Sequence, residues 1–440
     1  MWGRGHHCSA RNIHYNRATM PRVTDIISDA GSGAPVFDLF DPRWSSDPFP
    51  LYAGLRARAP LHRNEFGFWV AARHADCLAV LRDRGASVER SSMMDEETSN
   101  AFDGGLDSDD PRAIAEFENR SFLVRDPPDH TRLRGLVAKA FTPKVVEALR
   151  GRTQEIVDEL IDVALDEGTI DLVDRFAYPL PVRVICELLG VPVGDQERFK
   201  VWSHALARGL DPNFLLPPEV IEASAEAREQ FAAYFFELLA ERRRSPGEDL
   251  LSQLVAAEDG GTVLSEAELL STCILLLVAG HETTVNLIAG GALALLEHPS
   301  QLERYRLDPA VARSGVEEML RFVSPVQLTG RTLLHDIELG DVHLKAGQFI
   351  MLLLASGNRD PLAFNDPDEF DLARTPNNHL GFGFGIHHCL GAPLARMEAD
   401  VALSTLVRRA PRLALASDAV TYKANVILRG MESMPVSLGS

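Results

Sequence analysis

A chain of 440 residues, 45% of them hydrophobic, has the apolar content for a large core, and its net charge of −19 is the wrong sign for nucleic acid or an acidic lipid surface. Its five cysteines, Cys8, Cys77, Cys186, Cys273 and Cys389, are odd in number and scattered, which excludes a disulfide framework and suits a reducing cytoplasm. No repeat, low-complexity tract or internal linker divides the sequence, so one domain is expected over residues 35–440 after a flexible tail at residues 1–34.

The tail carries Arg4, Arg11, Arg17 and Arg22 with no acid before residue 25, and Met20 offers a second start. It lacks the apolar face of a transit peptide and the apolar run of a membrane anchor, so a disordered extension is expected. A helix over residues 50–59 and short strands near 61–62 and 66–71 follow. In the loop over residues 88–122, Asp95, Glu96, Glu97, Asp103, Asp107, Asp109 and Asp110 crowd together. They read as a solvated, mobile segment, with capture of an amine-bearing substrate as the alternative.

Next comes Asp126-Pro127-Pro128-Asp129-His130-Thr131-Arg132-Leu133-Arg134. Two prolines end an extended run, and Asp129 is expected to cap a helix starting at His130. His130 and Arg134, four apart, share one face of it. They are either a solvated basic pair or a grip on one anion.

Helical periodicity dominates from about residue 130 to 320, with Ile156, Leu160, Val163 and Ala164 on one face. The apolar stretch 273–296 is interrupted by His281, Glu282, Thr283, Thr284 and Asn286, too many polar groups for a membrane span. It reads as a buried helix crossing the core. An acid and an alcohol there are costly without partners, so they are either satisfied core groups or they serve chemistry. Glu318 and Arg321 are helix-face neighbours, a commonplace pair by itself. A strand-like run at 348–354 adds to a small β-rich lobe, so the fold expected is mainly α.

The most specific segment is Phe382-Gly383-Phe384-Gly385-Ile386-His387-His388-Cys389-Leu390-Gly391. Gly385 and Gly391 bracket one thiol with residues that permit positive φ and close approach of the backbone to a flat ligand. Leu390, Leu394, Met397 and Val401 recur at helical spacing with Pro393 in the first turn, so Cys389 precedes a helix N-terminus whose dipole is expected to lower its pKa. Three readings stand at this point. The thiol is a packed core group, or a zinc ligand with His379, His387 and His388, or an iron ligand.

This decapeptide resembles the heme-binding loop of the cytochromes P450, Phe-x-x-Gly-x-His/Arg-x-Cys-x-Gly, at every fixed position. Ala279-Gly280-His281-Glu282-Thr283 resembles the family's distal-helix motif, Glu318 and Arg321 its Glu-x-x-Arg pair, and residues 126–134 its His/Arg segment. The likeness to soluble bacterial members runs from about Phe37 to the C-terminus. It implies the cytochrome P450 fold enclosing one heme b (iron protoporphyrin IX), with Cys389 as the metal ligand. By the same resemblance His130, Arg134, Arg331 and His387 hold the propionates, and Phe382 and Gly391 shape the loop. Ala279 and Gly280 leave room on the distal side, Glu282 and Thr283 are catalytic, and Arg374 completes the Glu318–Arg321 network.

The activity so implied is a heme-thiolate monooxygenase that uses dioxygen and two externally supplied electrons to hydroxylate or epoxidise a molecule. Pocket segments carrying Phe214, Leu215, Leu216, Val426 and Ile427 point to a lipophilic substrate. No flavin or nicotinamide fingerprint appears, so a ferredoxin with its ferredoxin reductase is the expected donor, docking where Arg132, Lys139 and Arg396 present positive charge. A heme sensor would not need Glu282 and Thr283 together, a peroxygenase tends to replace that pair, and a fatty-acid carrier would leave all four motifs unexplained.

Overall fold

The computed structural model describes residues 37–41, 43–64, 66–89, 121–212, 215–259, 262–417 and 420–439. The N-terminal tail, the acid-rich stretch 95–110 and Phe214 lie outside the described residues. Those described belong to one folded unit, Val36–Ser440.

The helices used below are α1 (Phe49–Arg58), α2 (His74–Arg82), α3 (Asp129–Ala140), α4 (Arg150–Glu167) and α5 (Pro179–Leu189). They continue as α6 (Gln196–Arg208), α7 (Pro218–Arg244), α8 (Glu266–Glu297), α9 (Val311–Val323) and α10 (Ala392–Arg409). The long apolar stretch forms α8, and α5, α9 and α10 all pack on it. Leu277, Val285, Leu287, Ile288 and Leu295 lie buried on several sides of α8, the pattern of a helix enclosed by others. By length and composition α8 passes as a membrane span, yet 67% of its apolar window is buried in the protein.

A capping box starts α8: Ser265 accepts from the Glu268 N–H and Glu268 accepts from the Ser265 N–H. Glu268 also receives Arg132 of α3, so the cap ties the two helices together.

Two local expectations are corrected. Asp129 does not cap α3; the helix begins at Asp129 itself, after Pro128 in an αR conformation with no capping side chain. Asp129 instead lies 3.6 Å from Arg132 in the first turn, where its charge still favours the helix dipole. On α4, Val163 is 51% exposed while Ile161 is fully buried, because the packed face is centred on Leu160 and Ala164 and leaves Val163 at its edge.

The β lobe is a five-stranded sheet of β1 (Leu61–Arg63), β2 (Trp69–Ala71), β3 (Ala86–Ser87), β4 (Thr329–Leu333) and β5 (Phe349–Leu352). Its order is β1-β2-β5-β4-β3, with β2 and β5 parallel and Arg331 of β4 opposite Ile350 of β5. The run predicted over 348–354 ends early as a strand, because Leu354–Gly357 turns into a short helix. Near the C-terminus β6 (Thr421–Tyr422) and β7 (Met431–Ser433) form an antiparallel pair around a turn holding Val426 and Ile427.

Glu318 and Arg321 of α9 organise the long irregular segment between β5 and the cysteine loop. Both are fully buried. Arg321 donates to both carboxylate oxygens at 2.8 Å and to the carbonyls of Asn358, Pro367 and Glu369. Glu318 also accepts from Arg374, the Asp371 N–H and Asn377. Asn358 passes the constraint on: it donates to Ser324 and accepts from the Leu380 N–H, two residues before the cysteine loop.

Candidate functional site

Gly383 and Gly385 take φ of 67° and 73°, a region costly for side chains. A Cβ at Gly385 would fall 2.6 Å from the Leu81 carbonyl of α2, so the bend presses against that helix end. Gly391 does not use positive φ; at −80° it is the residue before α10, and a Cβ there would sit 3.9 Å from the Cys389 sulfur. The Cys389 N–H donates to the Phe382 carbonyl at 2.9 Å, closing the loop. Arg396 lies 4.5 Å over the Phe382 ring and fixes its position from α10.

The side chain of Cys389 is exposed. Desolvation by neighbouring protein atoms nevertheless pushes the thiol up, while the N–H groups of Gly391 and Ala392 and the charges of Arg134 and Arg396 pull the other way. The expected lowering does not emerge from the protein alone, because desolvation outweighs the helix terminus. A cation bound at sulfur reverses the balance, since a coordinating thiol loses its proton.

Beside the loop stands a cluster of bases. His130 is buried with neither ring nitrogen partnered, and Nε2 of His387 is unpartnered too. Their rings are 4.3 Å apart. Arg134 reaches the His388 carbonyl at 2.6 Å, and buried Arg331 bonds to Thr329 and the Gly330 carbonyl. Burial pushes the His387 imidazolium down to about 3, and His130, Arg331 and Arg134 add repulsion. Burial pushes Arg331 down to about 10, with only Asp126 opposing. Four clustered bases, two of them imidazoles with orphaned nitrogens, fit an acidic group seated beside them. The two carboxylates of a heme would match this donor set, and the Cys389 thiol beside it could ligate the iron.

On α8, Ala279 is exposed and Leu275, Leu276, Gly280 and Thr283 are half-buried, while Leu277, Val278, His281, Glu282 and Val285 are buried. The spacing of four makes an accessible stripe along the middle of an otherwise enclosed helix. Thr283 donates to the Ala279 carbonyl at 2.9 Å, which leaves its oxygen free to accept on that stripe. A Cβ at Gly280 would meet Ile185 of α5 at 3.5 Å, so that position opens toward α5.

Glu282 does not share the stripe. It turns to the buried side, where Lys423 donates to it at 2.5 Å and His281 lies 3.7 Å from its second oxygen. Burial pushes its carboxyl up, but Lys423 and His281 more than offset this and hold it below its ordinary value. Lys423, 8% exposed, was missed in the sequence. It follows β6 with no local mark of function, and its partner is 141 residues away.

Other predicted residues do not assemble as expected. Arg132 is bound by Glu268 and Arg396 by Glu317, so both are neutralised as docking charges. Exposed Arg82, 4.9 Å over the Phe384 ring, is a cation of this face that the sequence did not single out. His379 bonds to Glu317 and to the Gly381 N–H, which removes it from a zinc set. Among the described residues no three His, Cys, Asp or Glu are grouped to hold a metal.

Residues 107–308 and 310–410 match the sequence profile of the family described as Cytochrome P450. The chain is 40% identical over 402 residues to the polyketide biosynthesis cytochrome P450 PksS of Bacillus subtilis (89% of this chain, 96% of PksS). It is 41% identical over 413 residues to the cytochrome P450 monooxygenase PikC of Streptomyces venezuelae (91% and 94%). It is 38% identical over 415 residues to the vitamin D(3) 25-hydroxylase of Pseudonocardia autotrophica (93% and 98%). The solved structure of PksS superposes with a TM-score of 0.81 at 38% identity, covering 92% of this chain and all of PksS. The chain belongs to the cytochrome P450 family, and it is a heme b monooxygenase that hydroxylates small molecules.

Proposed function

We propose that this enzyme oxidises a lipophilic small molecule in the cytoplasm, with two electrons from a ferredoxin charged by its reductase, and that residues 35–440 act as one catalytic domain. The accessible stripe Leu275–Ala279–Thr283 on an otherwise enclosed helix carries the reading. Its apolar character suits an oily substrate, as do the partly buried Leu215, Val426 and Ile427. The vitamin D(3) hydroxylase among the relatives is consistent with that class.

Heme supplies the oxidising chemistry; the chain binds, orients and moves protons. Cys389 ligates the iron, Phe382 and Gly391 hold the loop's shape, and His130, Arg134, Arg331 and His387 bind the propionates. Ala279 and Gly280 keep the distal side open. Thr283 accepts and passes hydrogen bonds there, and Glu282, kept ionised by Lys423, brings protons in from the buried side. Arg82 and Lys139 belong to the face on which the ferredoxin docks.

The test is product formation by the purified holoprotein with ferredoxin, ferredoxin reductase, NADPH and a panel of lipophilic compounds under isotopically heavy dioxygen. Heavy oxygen in a product, in step with NADPH use, is the expected result. NADPH use without any product, or equal turnover with peroxide alone, overturns the proposal.

Lys423→Met is expected to lower ferredoxin-driven turnover ~100-fold, the scale of a lost proton-transfer group. NADPH use uncouples from product at the same time. The sign of the pH effect follows from the pair. In the wild type, the depressed carboxyl of Glu282 contributes stability above the ordinary carboxylate range, which is lost as pH falls through its folded value. In the variant burial is opposed only by His281 and His204, so Glu282 takes up a proton at higher pH and the acid-side loss shrinks. Urea titrations from pH 4 to pH 8, with wild type and variant falling in parallel, would count against the pair.

A further inference from the structure

A second cavity of about 490 Å³ lies behind the β6–β7 hairpin, one turn along α8 from Glu282. Phe49, Asn286, Leu293, Phe322, Arg359 and Arg429 are among the residues that line it. None of its lining belongs to the cysteine loop or to the accessible stripe of α8.

Its polar groups are unfinished. Asn286 is 1% exposed, yet neither its amide nitrogen nor its oxygen has a partner. A buried amide left this way is costly unless a ligand completes it. A Cβ at Gly430 would fall 1.9 Å from the Asn286 oxygen, so only glycine in the hairpin admits that amide.

Arg359 is held flat between Phe49 and Phe322, 3.7 and 3.8 Å from their ring centres. One terminal nitrogen meets Asp368 at 3.3 Å and the other the Phe322 carbonyl at 2.9 Å, but its buried Nε has no acceptor. Arg429 lies 4.4 Å over Tyr422 and donates to the Ser46 carbonyl, and its buried Nε is also without an acceptor.

Three donor sites on two cationic side chains and one amide therefore stand unpartnered on residues that line a space walled by rings and by Leu293 and Met431. Asp47 and Glu297, exposed at the rim, offset part of the positive charge and disfavour a multiply charged anion. We infer that this cavity binds a small monocarboxylate with an aromatic or apolar body, separately from the heme pocket. The carboxylate takes the two Nε–H groups and the Asn286 amide, and the body rests on the apolar wall.

The probe is 4-fluorobenzoate, followed by fluorine NMR on the heme-loaded protein with imidazole saturating the iron. Saturable binding near 1 mM or tighter is expected, unaffected by imidazole and absent for the neutral 4-fluorobenzamide. Arg429→Met and Asn286→Leu should each weaken it roughly tenfold, the loss of one charged or buried hydrogen bond. An unchanged heme spectrum in either variant certifies its fold. No saturable binding by about 10 mM, displacement by imidazole, equal binding of the benzamide, or undiminished binding in the well-folded variants would each overturn the site. None of these readouts depends on turnover, so the inference stands or falls apart from the proposed reaction.

Discussion

Cys389→Ser is expected to give a folded protein without monooxygenase activity and without the long-wavelength band of the reduced carbon monoxide complex. The side chain is exposed and its fold-closing hydrogen bond to Phe382 comes from the backbone, so the loop survives the exchange. What changes is the donor atom. Thiolate pushes electron density to iron in a way a serine oxygen, protonated at neutral pH, does not. A push worth only ~4 kcal/mol in the barrier is a thousandfold in rate, so turnover is expected to fall at least that far. Far-ultraviolet circular dichroism should match the wild type. A serine variant that kept both the band and the turnover would remove Cys389 from the metal.

The second large effect is structural. Glu318→Ala strips the carboxylate from Arg321, which is fully buried and has no solvent to turn to. Removing one partner of a buried pair costs about 3–5 kcal/mol, a large part of the 5–15 kcal/mol typical of a whole domain. Arg374, Asn377 and the Asp371 N–H each lose an acceptor in the same stroke. The urea midpoint is expected to drop sharply and heme content with it, since the segment that positions the cysteine loop is released. Arg152→Ala is the control. Arg152 bonds to Glu187 at 2.9 Å, but its side chain is 42% exposed, and surface pairs contribute about 0–1 kcal/mol. Equal losses in the two variants would show that burial is not what gives the Glu318 network its value.

The cysteine loop was legible because its constraints are local: a glycine that must take positive φ, a proline in the first turn of a helix, one thiol between them. His130 and Arg134 were legible as a pair because four residues bring them to one face of α3, though nothing in that spacing shows that His130 is buried with both nitrogens unpartnered. Arg331 was reachable only by resemblance, since one arginine in a strand carries no mark of its own. The partners of Arg132 and Arg396 escaped notice for the opposite reason. Glu268 and Glu317 are distant in sequence, and charge counted along the chain does not reveal which cations the fold has already neutralised. Lys423 belongs to the same class. Its pairing with Glu282 arises where a C-terminal hairpin meets the middle of α8, a juxtaposition made by tertiary packing alone.

The spread of the proposed heme cradle along the chain sets a timetable for biosynthesis. His130 and Arg134 leave the ribosome first, Arg331 much later, and His387 and Cys389 later still. Folding during translation proceeds from the N-terminus. Pigment capture therefore waits until the thiol has been made, and prematurely released fragments ending before it are expected to be colourless however well their helices have formed.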